Sequence, residues 1–170
     1  LMLRSGNDAA VAIAEYISGD VDSFAALMNQ EAAAMGATRS HFVNPNGLPD
    51  ENHYTCVYDM YLIFSNAIKN DTFVSIIGTT SYDVTYTDAS GEAVTHTWEN
   101  TNQYLTGNAT TPDGFQIVGG KTGTTGEAGY CLVLYSYNPS GQPIISIVFK
   151  ADGKSNLYLL MNEMLQGFAI

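Results

Sequence analysis

Residues 116–150 read QIVGGKTGTTGEAGYCLVLYSYNPSGQPIISIVFK, the most strand-like stretch of the chain. Three strands can be drawn in it, at about Gln116–Thr124, Gly129–Tyr137 and Pro143–Lys150, with Asn138–Gly141 turning between the last two. Connections this short require antiparallel pairing, because a parallel pair needs a crossover of a dozen residues or more. Alternation puts Cys131, Val133 and Tyr135 on one face and Leu132 and Leu134 on the other. Both faces are apolar, so both are expected to be covered.

Helices at the two ends of the chain can supply that cover. A final helix over Ser155–Phe168 carries Leu157, Leu160, Met161, Met164, Leu165 and Phe168, the spacing of one face packed on a sheet. Near the start, Ala10, Ile13, Ala14 and Ile17 form a stripe on a helix from Asp8 to Ser18, which Gly19 ends. Asp20 can cap a second helix with the stripe Phe24, Leu27, Met28 and Met35, closed by Gly36. A third is expected near Val57–Lys69, presenting Val57, Met60, Tyr61, Phe64 and Ile68, and a short one at Asp71–Ile77. The segment HFVNPNGLPDENH (41–53) is dense in Asn, Pro and Gly and reads as an ordered loop. Tyr82, Val84 and Tyr86 then alternate with polar residues, as do Val94, His96 and Trp98, about a turn at Asp88–Gly91; this is a β-hairpin. Residues Asn100–Gly114 are polar and irregular. The order is α+β, an antiparallel sheet flanked by helices.

Composition bounds the function. Hydrophobic residues make up 45% of the 170 and charged residues 14%, which excludes disorder. Area scaling for 18.3 kDa predicts a folded surface of roughly 8,000 Å² and one hydrophobic core. Seventeen acids against six Lys and Arg give a net charge of −11, a field that repels phosphate backbones and excludes nucleic acid as a partner. Apolar runs reach only six residues, as at Ala9–Ala14, too short to span a bilayer, and no basic stretch followed by an apolar one opens the segment. Cys56 and Cys131 form no CxxC and fit no zinc pattern with the histidines; their spacing does not decide whether they pair, and two small buried thiols are expected over a disulfide. His41, His53 and His96 make no ligand pair on a helical face and read as buried or loop-anchoring imidazoles; no metal is implied.

Two short motifs carry chemistry. Ser5-Gly6-Asn7 stands directly before a helix, where alone it reads as an N-cap. Lys121-Thr122-Gly123, preceded by Gly119 and Gly120, puts a fixed positive charge and a hydroxyl beside backbone that Gly123 leaves approachable. That set suits recognition of a carboxylate and, through an amide N–H, of an oxyanion. A surface strand with a solvated lysine would look the same in isolation.

Together the blocks resemble a family. S-x-N opening a helix, then HFVNPNGL with a later HY, then KTGT followed by EAGYCLV, are similar in order to the D-alanyl-D-alanine carboxypeptidases. These are low-molecular-mass penicillin-binding proteins that share the β-lactamase/transpeptidase fold. The resemblance runs across essentially the whole chain. It implies residues 1–170 as the carboxy-terminal portion of a single catalytic domain, incomplete at the N-terminus. Such enzymes use three motifs, S-x-x-K, S-x-N and K-T-G. By resemblance Ser5 relays a proton to the leaving amine, and Asn7 binds a substrate amide and orients the first-motif lysine. Lys121 supplies positive potential beside Ser5, and Thr122 binds the terminal carboxylate. Gly123 allows close approach, and the Thr124 N–H donates to the oxyanion. None of the twelve serines has a lysine three residues on, so the nucleophile is expected upstream of residue 1. The resemblance further implies peptidoglycan stem peptides ending in D-Ala-D-Ala as substrates and β-lactams as inhibitors of the full protein. It implies no cofactor, an extracytoplasmic location, and membrane attachment only through segments outside this chain. A β-lactamase and a non-catalytic protein that binds cell-wall peptide are the alternatives.

Overall fold

The structure, a computed structural model, describes residues 1–167. The expected meander is its centre: β3 (Gln116–Thr125), β4 (Gly129–Tyr137) and β5 (Pro143–Ala151) pair antiparallel in the order β3-β4-β5. Lys121 stands opposite Val133 and Gly123 opposite Cys131, while Leu134 stands opposite Ser146. The second turn forms because Asn138 Oδ1 accepts from the amides of Ser140 at 3.1 Å and Gln142 at 2.8 Å, and Gly141 takes φ +77°. That dihedral lies where a side chain would clash.

Helix α6 (Lys154–Gly167) covers one face. Leu157, Tyr158, Met161 and Leu165 pack there on Leu132 and Leu134, both fully buried. Each such side chain contributes about 1.5–3 kcal/mol of burial. The stripe is rotated from the expected one: Tyr158 is buried and Leu160 is exposed, and Phe168 lies outside the described residues. On the other face Val133, Ile145 and Ile147 meet Phe64 of α3 (Val57–Ala67) and Ile77 of α4 (Asp71–Ile77). Both faces are therefore covered by this chain, but the second cover comes from α3 and α4 rather than from the helices at the start of the chain that were expected to supply it.

The crossing of α4 over β3 is set by glycines. A Cβ on Gly119 would fall 2.5 Å from the Ile77 carbonyl oxygen, and one on Gly78 would fall 2.6 Å from that of Val118. The two backbones meet because neither carries a side chain.

Helices α1 (Asn7–Ser18) and α2 (Val21–Ala34) pack together, and their buried positions are alanines: Ala10, Ala14, Ala25 and Ala32. The larger residues of the expected stripes, Ile13, Ile17 and Leu27, are exposed. Asp20 caps α2 as expected, accepting from the Ser23 amide at 2.7 Å. The ribbon of β1 (Ser81–Thr87) and β2 (Ala93–Glu99) pairs Tyr82 with Trp98 and stands largely in solvent. A four-residue helix, α5 (Gln103–Thr106), occupies the segment expected to be irregular; Asn102 caps it. The total surface is 9,925 Å², larger than the roughly 8,000 Å² of a compact monomer of this mass. The open apolar faces of α1 and α2 contribute to the excess. Among the described residues no helix is long and apolar enough to cross a membrane.

Candidate active site

Ser5 closes a turn at the head of α1. Its amide donates to the Leu1 carbonyl at 2.7 Å, and its φ is +54°. A non-glycine residue in that region costs of order 1 kcal/mol or more. Gly6 is the N-cap and Asn7 the first helical residue. Met2, packed against Phe64, Ile77 and Val133, ties this turn to the core beneath the sheet.

Lys121 comes to meet it from the middle of β3. Its Nζ donates to Ser5 Oγ at 2.5 Å, across 116 positions of sequence, and to the Thr122 carbonyl at 2.6 Å. Burial disfavours the charged form and lowers the Lys121 pKa below the ordinary 10.5.

Both residues line a cleft of about 510 Å³, as do Asn7, Thr122, Gly123 and Thr124. The structure thus brings all six sequence candidates to one cavity. The glycines differ in what they do. A Cβ on Gly123 would meet nothing nearer than Cys131 Cβ at 3.9 Å, so the strand is open there. Gly119 and Gly120 instead face backbone, of α4 and of β4 respectively, and serve packing.

Several lining residues were not singled out in the sequence. Arg4 and Lys154 join Lys121, so three of the chain's six Lys and Arg face one cleft. None of its seventeen acids lines it. A cleft of one sign inside a negative molecule concentrates anions where the cations are. Charge distribution could have found Arg4, adjoining S-x-N, but the sequence held no sign that Lys154 faces the cleft. Asn46, Gly47 and Leu48 reach the cleft from the 41–53 loop, Thr101 from the segment before α5, and Tyr158 from α6.

The loop is held from two sides. Asn29 of α2 donates to the Phe42 carbonyl at 2.8 Å and accepts from its amide at 2.7 Å. Asp59, buried in the first turn of α3, accepts from the Arg39 amide at 2.7 Å and Ser40 Oγ at 2.8 Å. Burial pushes the Asp59 carboxyl up, but the hydrogen bonds from Ser40, Arg39 and Cys56 outweigh it and hold the pKa below 3.8. His41 Nδ1 donates to the Asn52 carbonyl at 2.6 Å, and His53 Nδ1 accepts from the Val43 amide at 3.1 Å; both anchor the loop. His96 lies exposed on the ribbon beside Trp98. Cys56 and Cys131 are free thiols, half-buried rather than buried as expected. Cys56 bonds Asp59, and Cys131 Sγ lies 3.4 Å from the Ala128 carbonyl. Among the described residues no group of three His, Cys, Asp or Glu side chains is gathered that could hold a metal.

This antiparallel sheet covered on both faces, with a lysine of its end strand bonded to a serine at a helix start, is of the penicillin-binding/transpeptidase class of fold, as its likeness to solved members shows. Residues 1–153 match the D-alanyl-D-alanine carboxypeptidase (peptidase S11) family, and the chain belongs to it. It is 34% identical over 166 residues to D-alanyl-D-alanine carboxypeptidase DacF of Bacillus subtilis, covering 97% of this chain and 40% of that one. Against the D-alanyl-D-alanine carboxypeptidase of Streptomyces sp. K15 the identity is 33%, covering 100% of this chain and 59% of the other. The crystal structure of the Streptomyces K15 DD-transpeptidase superposes with a TM-score of 0.86 at 31% identity, covering 100% of this chain and 65% of that one. The chain thus spans 40% to 59% of the length of these two curated relatives.

Proposed function

We propose that the protein carrying this chain is a serine-type D-Ala-D-Ala carboxypeptidase that trims peptidoglycan stem peptides through an acyl-enzyme, outside the cytoplasmic membrane. The observation that carries this reading is the hydrogen bond from Lys121 Nζ to Ser5 Oγ. A serine held by a desolvated lysine can pass its proton to a departing amine while the lysine charge steadies the oxygen left behind.

The other residues take roles around that pair. The substrate's terminal carboxylate enters the cationic part of the cleft and accepts from Thr122, with Arg4 and Lys154 adding positive potential. The peptide lies along the outer edge of β3, the end strand of the described sheet, as an added strand. Gly123 leaves room for it, the Thr124 amide donates to the oxyanion, and Asn7 binds a substrate amide. The nucleophile belongs to an S-x-x-K motif upstream, since none of the twelve serines here precedes a lysine by three. Splitting amide cleavage into acylation and hydrolysis is what that serine contributes. β-Lactams, as mimics of the same acyl donor, would acylate it.

Release of D-alanine from an N-acyl-D-Ala-D-Ala peptide tests this. A protein that includes the upstream motif is expected to release it, and Ser5→Ala and Lys121→Ala are each expected to lower kcat/KM by about 10² or more. Undiminished turnover in both variants would remove Ser5 and Lys121 from the mechanism.

A further inference from the structure

The hydroxyl of Thr122 is engaged before any ligand arrives: its Oγ1 lies 2.5 Å from Thr101 Oγ1. We propose that Thr101 is a positioning residue that donates to Thr122 Oγ1 when the cleft is occupied, and so orients and polarises the Thr122 hydroxyl toward a C-terminal carboxylate. The inference rests on the carboxypeptidase reading of the cleft.

A hydroxyl has one proton to give and can accept two bonds. Between two hydroxyls either oxygen can be the donor, and the two directions leave Thr122 with opposite chemistry. If Thr122 donates to Thr101, its proton is spent and a carboxylate, which only accepts, finds no donor there. If Thr101 donates to Thr122, the Thr122 proton is free for the ligand, and the two bonds polarise one another in a chain. A carboxylate in the cleft therefore selects the second direction. The Thr101 hydroxyl then serves as the second link of a relay ending on the anion.

The frame around Thr101 is built to hold it. Its neighbours in sequence, Asn100 and Asn102, are both buried. Asn100 Nδ2 donates to the Thr79 carbonyl at 2.9 Å, and its Oδ1 accepts from the Asn102 amide at 2.9 Å. Asn102 Oδ1 accepts from the Tyr104 amide at 3.2 Å, and the Gln103 amide donates to Tyr158 OH at 2.7 Å. Two inward-anchored asparagines leave the residue between them at the cleft wall. Tyr158 then ties the same segment to α6, whose Lys154 also lines the cleft. None of these anchors involves the Thr101 side chain, so replacing that side chain leaves the frame in place.

The test compares two ligands on three forms of a protein that includes the upstream motif, its nucleophilic serine replaced by alanine so that neither ligand turns over. The ligands are acetyl-D-Ala-D-Ala and its C-terminal amide, titrated by NMR into the wild type at position 101, Thr101→Val and Thr101→Ser. Valine matches the shape but can neither donate nor accept. The wild type is expected to prefer the carboxylate. Thr101→Val keeps the Thr122 donor but removes the neutral hydroxyl–hydroxyl bond that orients and polarises it, and is expected to bind the carboxylate about fivefold more weakly, with the amide unchanged. Thr101→Ser is expected to restore the preference. A purely structural loss would weaken both ligands alike, and that result would overturn the proposal, as would an unchanged carboxylate preference in Thr101→Val. Failure of the wild type to bind either ligand would instead overturn the carboxypeptidase reading of the cleft and take this inference with it.

Discussion

Gly119→Ala measures how tightly the site is tied to the core. The added Cβ would sit 2.5 Å from the Ile77 carbonyl oxygen, 2.6 Å from its carbon and 2.7 Å from the Gly78 amide nitrogen. Ordinary contact needs about 3.4 Å or more, so α4 and β3 must part by ~1 Å. The obstacle is backbone on both sides, which no rotamer change relieves. Overpacking of this kind costs about 1–3 kcal/mol, and the lost freedom of the unfolded chain returns about 0.4–1 kcal/mol. Taken at the middle of each range, the net is about 1.3 kcal/mol, or roughly 3–5 °C in Tm for a chain of this length. Gly78→Ala meets the Val118 carbonyl oxygen at 2.6 Å and is expected to cost a similar amount. Because one displacement relieves both clashes, the double variant should lose less than the sum of the two. Gly126→Ala, with nothing within 4 Å, is the control and should be neutral or slightly stabilising. Thermal and urea unfolding followed by circular dichroism read all four. A Gly119→Ala Tm equal to or above the wild type would refute the packing account of this crossing.

Three further outcomes follow from local contacts. Asn70 caps α4 by accepting from the Phe73 amide at 3.1 Å, and Asn70→Ala should cost about 1 kcal/mol in urea unfolding; no change would mean the cap carries no energy. The Asp59 carboxyl, held below 3.8, stabilises the fold at pH above its unfolded value, and that stability is lost as pH falls through its folded value. Asp59→Asn should therefore flatten the acid limb of Tm against pH, and an unaltered limb would exclude Asp59 from acid unfolding. Lys121 has the opposite sense. Its lowered pKa means the unfolded chain holds more protons between the folded value and 10.5, so wild-type stability should rise with pH in that window relative to Lys121→Met. Parallel profiles for the two would contradict the burial of the ammonium.

What the sequence displayed and what it concealed differ in kind. The β3–β5 meander was legible because period-two alternation and an Asn-Pro-Ser-Gly turn specify pairing locally, and the strand ends agree to within one residue. The starts of α2 and α4 were legible from their chain punctuation. Burial on α1 and α2 was legible only in part: of the α1 stripe Ala10 and Ala14 are buried but Ile13 and Ile17 are not, and α2 buries Ala25 and Ala32 rather than its stripe. The buried positions of both helices are alanines, which permit a close crossing that large residues would block. On α6 the buried aromatic is Tyr158, whose hydroxyl finds the Gln103 amide; a hydropathy stripe cannot anticipate that partner. Helix α5 is too short for any period and exists through one cap. At the cleft, Ser5, Asn7 and Lys121 to Thr124 were found through motif resemblance, whereas Thr101 and Lys154 belong to no motif and depend on tertiary placement.

Ser5, bonded to Lys121, acts in the proposed mechanism as a proton relay, and the nucleophile lies elsewhere. Intact-mass spectrometry of this chain after incubation with a penicillin tests that division of roles most directly. Ser5 has no lysine one helical turn on, and removing a nucleophile leaves only what binding and the oxyanion hole supply. No covalent adduct is expected on these 170 residues, and one penicilloyl group is expected on a protein that includes the upstream motif. A mass increase of one penicilloyl group on this chain, abolished by Ser5→Ala, would contradict the relay and make Ser5 the nucleophile.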